Sequence, residues 1–227
     1  MWRRSATLGL ERSSPAHRGD LADAIRAAIV SGELLPNQHL VEAELAARYQ
    51  VGRAAVRLAL AQLEKERLVV REPNKGARVR AISLDEAIEI TEVRASLEVL
   101  IAEKAAQRAT DEEVRQLEAV VAQMRAAKRA LDLTQYSEAN RTLHQILYGA
   151  ARHSTALWML ETLRAQAVRW HFRVSMVPGR MDASLEEHAA IVAALARRDP
   201  AAARAAMAVH MAGVIEALRK MPREGLY

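Results

Sequence analysis

The chain has 227 residues, 51% hydrophobic and 27% charged, enough to bury one large or two ordinary cores and too apolar for a disordered chain. Only 9 Gly, 6 Pro and 4% aromatic residues suit helices and argue against a β-sandwich or barrel, while the lack of cysteine excludes disulfides, thiolate metal sites and cysteine catalysis. The net charge of +5 resides in residues 1–84, which hold 14 Lys/Arg against 9 Asp/Glu; the remainder is neutral, as expected of a phosphate-binding module beside a neutral one.

Residues 1–17 read as a flexible arm. Arg3 and Arg4 precede only a mild stretch from Ala6 to Leu10, too short for a secretory signal. No apolar run approaches about 20 residues, so no span of a bilayer is expected, and the chain is read as cytoplasmic. A first helix is predicted over 19–31, with Leu21, Ile25 and Ile29 on one face and Gly32 as its stop. Helices over 41–49 and 53–67, separated by a break at 50–52, form a helix-turn-helix. The period then changes. Leu68, Val69 and Val70 favour a strand, 73–76 is turn chemistry, and 77–81 alternates apolar residues with Arg78 and Arg80, which predicts a two-stranded hairpin, a wing. The DNA-binding unit is thus expected over 18–82.

From residue 83 to 221 the pattern is helical, with a tail over 222–227. Ser83 with Glu86, Thr110 with Glu113 and Ser184 with Glu187 fit the capping box, and Asp199 precedes a proline at a first helical position. Six helices follow, over 84–109, 111–130, 134–152, 155–175, 185–198 and 200–221, an antiparallel bundle. The fold is therefore expected to be mainly α, with a winged helix-turn-helix followed by a six-helix bundle.

Arg53 and Arg57 lie four apart at the start of the third helix, on one face, where a recognition helix meets base edges. Arginine grips guanine with two hydrogen bonds, although two arginines alone also fit a solvated face. Around them, 32–36 (GELLP), 42–46 (EAELA), 51–60 (VGRAAVRLAL), Leu63-Glu64 and 73–77 (PNKGA) resemble the DNA-binding domain of the GntR family of regulators. The resemblance implies that Arg53 and Arg57 contact bases in the major groove and that Gly76, at the wing tip, approaches the minor groove. Lys75, Arg78 and Arg80 are expected to meet phosphates. Asn37 stands where a glycine is usual, Gly52 and Ala54 where hydroxyl residues often touch phosphate, Ala55 where proline is frequent and Leu58 where glutamate is.

In the bundle, Asn140 and His144 are four apart on one helix, with His188 and His210 on later ones; three imidazoles and an oxygen would suit zinc or nickel, though each histidine alone fits an ordinary helix position. These residues, with Leu143, Ser184, Leu185, Ile191, Ala194, Asp199 and Ala202, resemble the FCD effector domain of the FadR branch of that family. There an acidic residue and three histidines hold a metal beside a small carboxylate. Here the acidic position is Asn140, which brings an amide oxygen but no charge. Arg94 resembles the arginine that faces the effector, with a surface pair to Glu98 as its alternative; Arg169 and Arg173 are further candidates, and His153 and His171 match no ligand position. The resulting expectation is a homodimeric, effector-responsive repressor that binds double-stranded palindromic operator DNA and has no membrane partner. A helical metal-dependent hydrolase and a regulator without metal are the competing readings.

Overall fold

A computed structural model describes residues 18–72 and 76–222, which fall into two compact units divided between Ala81 and Ile82. The arm expected over 1–17, the wing tip at 73–75 with Lys75, and the tail beyond 222 lie outside the described residues.

In the first unit, α1 (Arg18–Ser31) is followed by β1 (His39–Leu40), α2 (Glu42–Arg48), α3 (Arg53–Lys65), β2 (Val69–Glu72) and β3 (Gly76–Val79). Leu21, Ile25 and Ile29 of α1 and Val56, Leu60 and Leu63 of α3 are buried, as the spacing predicts, and Gly32 ends α1 at φ +81°. The sheet has three strands rather than the expected two, in the order β1-β3-β2, all antiparallel. β1 pairs His39 with Arg78 and Leu40 with Ala77; two residues carry no period, so its partnership is tertiary. Gly76 sits at φ +87°, and a Cβ there would lie 2.7 Å from the Leu40 carbonyl oxygen, so the start of β3 requires glycine. Asn37 adopts φ +63°, a conformation tolerated by both asparagine and the glycine it replaces, and its side-chain oxygen accepts a bond from Arg78.

The second unit contains α4 (Leu84–Arg108), α5 (Asp111–Arg129), α6 (Leu133–Ala151), α7 (Ser154–Gln166), α8 (Val168–Ser175), α9 (Arg180–Ala196) and α10 (Pro200–Arg219). Seven helices stand where six were expected, because the stretch over 155–175 breaks at Ala167. Thr110 and Glu113 form a reciprocal capping box; Ser83 and Asp199 cap α4 and α10. Ser184 does not cap a helix. α9 begins earlier, behind Gly179 at φ +76°, and Ser184 lies inside it.

The core joins α4, α5, α6, α7, α9 and α10 through residues such as Ile101, Leu117, Met124, Leu143, Leu147, Leu160, Ile191 and Met207. α10 corrects one expectation: by length and composition it is apolar enough to cross a membrane. Its Ala203, Met207, His210, Met211, Ala217 and Leu218 are nevertheless buried in the bundle, and Arg204 on the same helix pairs with Glu103 of α4. That is the pattern of a core helix.

Candidate effector site and nucleic-acid interface

α6, α9 and α10 bring His144, His188 and His210 together, each buried, with one ring nitrogen from each within 4.8 Å of the others. The ring centroids of His188 and His210 are 4.4 Å apart and those of His144 and His188 5.1 Å. Burial pushes the His144 and His188 pKa values well below the usual histidine range, and the neighbouring imidazoles push the same way, so these rings are neutral.

Outer partners decide which nitrogen carries the proton. Tyr148, one turn after His144, donates its hydroxyl to Glu98 Oε1 at 2.8 Å, because Glu98 is a carboxylate and can only accept. The same hydroxyl oxygen accepts from Arg164 Nη1 and lies 3.1 Å from His144 Nδ1, so His144 donates through Nδ1. His210 Nδ1 donates to Glu187 Oε2 at 2.7 Å. His188 Nδ1 is 3.2 Å from the Ser184 hydroxyl, which can serve it as donor or acceptor. All three rings thereby meet their outer partners through Nδ1, and Nε2 is the nitrogen left on each for the cluster.

His144 Nε2 and His188 Nε2 face each other at 3.2 Å, a separation met either by a hydrogen bond from a His188 Nε2–H or by a cation held between two bare nitrogens. With bonds of about 2.05 Å to a shared metal, that separation corresponds to an angle of roughly 100°, close to tetrahedral. Asn140, one turn before His144, has a buried side-chain oxygen without a hydrogen-bond partner. The three imidazoles therefore fit a divalent metal, and the buried Asn140 oxygen is the candidate for a fourth donor.

Beside the histidines lies a buried charged network. Arg94 is 6% exposed and Glu98 0%, and Arg94 Nη2 donates to Glu98 Oε1 at 3.0 Å. Arg94 therefore does make the i,i+4 pair with Glu98, but inside the bundle rather than at its surface. Its Nη1 donates to His171 Nε2. Burial first, then Arg94 and Arg164, holds the His171 pKa well below the usual range, so His171 is no ordinary helix position. Arg94 Nε and Glu98 Oε2 are buried without partners. Arg169 is exposed, and Arg173 stacks over the Trp170 ring at 4.9 Å, so the arginine from this stretch that reaches the network is Arg164. His153 serves as the N-cap of α7, accepting from Ala156 N–H at 3.3 Å.

In the first unit, Arg53 is exposed at the start of α3, and Arg57 Nε donates to Glu42 at 2.8 Å while its side chain remains 59% exposed. Arg78 donates to Glu72 at 3.1 Å and to Asn37, across the sheet.

Comparison with known proteins then places the chain. Residues 18–79 match the gntR family of bacterial regulatory proteins, and residues 89–213, more than half the chain, match the FCD domain. The chain belongs to the GntR family. This GntR-family protein is a ligand-responsive, DNA-binding transcription regulator and not an enzyme, which sets the hydrolase reading aside. It is 28% identical over 200 residues to the HTH-type transcriptional repressor RspR of Escherichia coli, covering 88% of each chain. It is also 28% identical to the HTH-type transcriptional repressor GlaR of the same organism, covering 81% of this chain and 87% of that one. The solved structure of E. coli McbR/YncC superimposes with a TM-score of 0.73 at 20% identity, covering 89% of this regulator and 97% of that chain, which shows the shared fold.

Proposed function

We propose that this regulator is a cytoplasmic homodimeric repressor of the FadR type that senses a small carboxylate at a metal centre formed by Asn140, His144, His188 and His210. The observation that carries the reading is the buried cluster of three imidazoles, two of whose Nε2 atoms lie 3.2 Å apart, with the unpartnered Asn140 oxygen on the turn of α6 before His144. Three imidazoles and an amide oxygen suit zinc or nickel, and the bound ion would supply a positive charge that an effector carboxylate can coordinate. Arg94, backed by Arg164, would add a second positive anchor, with its Nε–H still free to donate. Arg169 and Arg173 have no place at this anchor.

On the DNA side, Arg53 and Arg57 would read base edges, while Lys75, Gly76, Arg78 and Arg80 would track the backbone and minor groove beside them. Two heads in a two-fold dimer would read an inverted repeat. The names of the relatives RspR and GlaR support repression.

The test is elemental analysis of the purified protein combined with calorimetry. Near-stoichiometric divalent metal is expected, lost in His188→Ala while the bundle stays folded. Asn140→Asp should tighten metal and weaken a carboxylate such as lactate by adding like charge. Should Asn140→Asp leave both affinities untouched, Asn140 is not a ligand.

A further inference from the structure

Asn140 makes the proposed centre uncharged in all four of its inner donors. A carboxylate does stand directly behind one of the rings, that of Glu187. It accepts from His210 Nδ1 at 2.7 Å, and Arg180, on the same helix, grips it with two nitrogens, Nη1 to Oε1 at 3.0 Å and Nη2 to Oε2 at 2.7 Å. The Arg180 side chain is 8% exposed and that of Glu187 14%, so the pair sits where charges are costly to desolvate.

α10 is cut to admit this pair. A Cβ on Gly213 would lie 2.9 Å from Glu187 Oε1 and 3.4 Å from the Arg180 guanidinium carbon. The other two rings are anchored by uncharged groups, the Tyr148 hydroxyl and Ser184; His210 alone of the three is anchored by a carboxylate.

From these observations, and resting on the metal reading above, we infer that Glu187 is a positioning residue that supplies through His210 the negative charge missing from the inner ligands, and that Gly213 is the notch that lets it reach. A carboxylate behind an imidazole fixes the ring and raises its basicity toward a metal. Placed there, the charge strengthens binding from behind and leaves the open face of the ion fully positive toward an arriving anion. A carboxylate at position 140 would achieve the first effect and oppose the second.

The experiment is zinc affinity of the full chain by chelator competition, with the His210 tautomer read by nitrogen NMR on metal-free protein. Glu187→Gln should weaken zinc about 10- to 100-fold. Because that change strands the Arg180 charge, Arg180→Met/Glu187→Gln, which removes both charges, is measured alongside and should show the same loss in a folded bundle. Gly213→Ala should weaken zinc in the same direction by displacing Glu187. The decisive variant is Asn140→Asp/Glu187→Gln, in which a direct carboxylate replaces the relayed one and zinc affinity returns to within a few fold of wild type. If the folded Arg180→Met/Glu187→Gln protein binds zinc like wild type and keeps the His210 Nδ1–H form, the inference is overturned while the metal reading stands. If the wild-type protein binds no zinc, both fall.

Discussion

Arg94→Met isolates the most deeply buried charge in the bundle. Glu98 has no exposure, and its Oε1 accepts only from Arg94 Nη2 and the Tyr148 hydroxyl, while Oε2 has no partner. Removing Arg94 leaves the carboxylate with one neutral donor and with the Arg164 charge one hydrogen bond further away, through Tyr148. Breaking a buried pair on one side costs about 3–5 kcal/mol, and the residual field of Arg164 places this site near the lower figure. For a unit of this size, roughly 2–4 °C is lost per kcal/mol, so a fall in Tm of about 6–12 °C is expected. The assay is thermal and urea unfolding followed by helical circular dichroism. Arg94→Met/Glu98→Gln, which keeps an acceptor for Tyr148 but removes the stranded charge, should recover most of the loss. A single Arg94→Met protein that melts within about 2 °C of wild type would refute the reasoning, because that change is less than about 1 kcal/mol.

Three further outcomes are expected. In metal-free protein, His144, His171 and His188 are buried and neutral with pKa values held well below 6.5, so the unfolded chain takes up protons that the folded one refuses; stability should be flat above about pH 6.5 and fall below it by up to ~1.4 kcal/mol per pH unit for each ring, as urea midpoints would report. A flat profile down to about pH 5 would contradict the burial of neutral rings. Gly76→Ala, at φ +87° and 2.7 Å from the Leu40 oxygen, should destabilise the winged unit by at least ~1–2 kcal/mol in thermal unfolding and weaken DNA binding with it. Arg53→Ala and Arg57→Ala should each cost ~1–3 kcal/mol on the operator and relax sequence preference, with little effect on stability since both side chains are exposed; equal losses on operator and scrambled duplexes would remove them from base reading.

The winged unit was readable because its punctuation is local: Gly32 stops α1, Leu21, Ile25 and Ile29 mark one face, and Val69 and Val70 break the helical period. β1 was not, since two residues pair only after β3 is in place. Ser184 and Glu187 have the spacing of a helix start, yet Gly179 starts the helix earlier and frees both side chains to face His188 and His210. The three histidines come from helices far apart in sequence, and it was family resemblance that linked them before the fold did. Their partners carried weaker signals: Tyr148 at i+4 from His144 and Glu187 next to His188 were visible as spacings, whereas Arg164, Arg180 and His171 join the site through tertiary packing alone. In the sequence Arg94 fits both a pocket and a surface pair with Glu98, and in the fold the pair is made inside the bundle.

If Arg57 reads bases as proposed, its bond to Glu42 gives that face of α3 a resident competitor. A nucleic acid edge that takes the Nε side of the Arg57 fork has to displace the carboxylate docked there. A guanine, offering two acceptors to the fork, can compensate for that eviction, whereas a single phosphate oxygen on random duplex does so poorly. The first residue of α2 would then act as a threshold, holding back loose electrostatic adhesion more than sequence-matched engagement. By this logic Glu42→Gln should tighten binding everywhere and sharpen it nowhere, trading selectivity for grip.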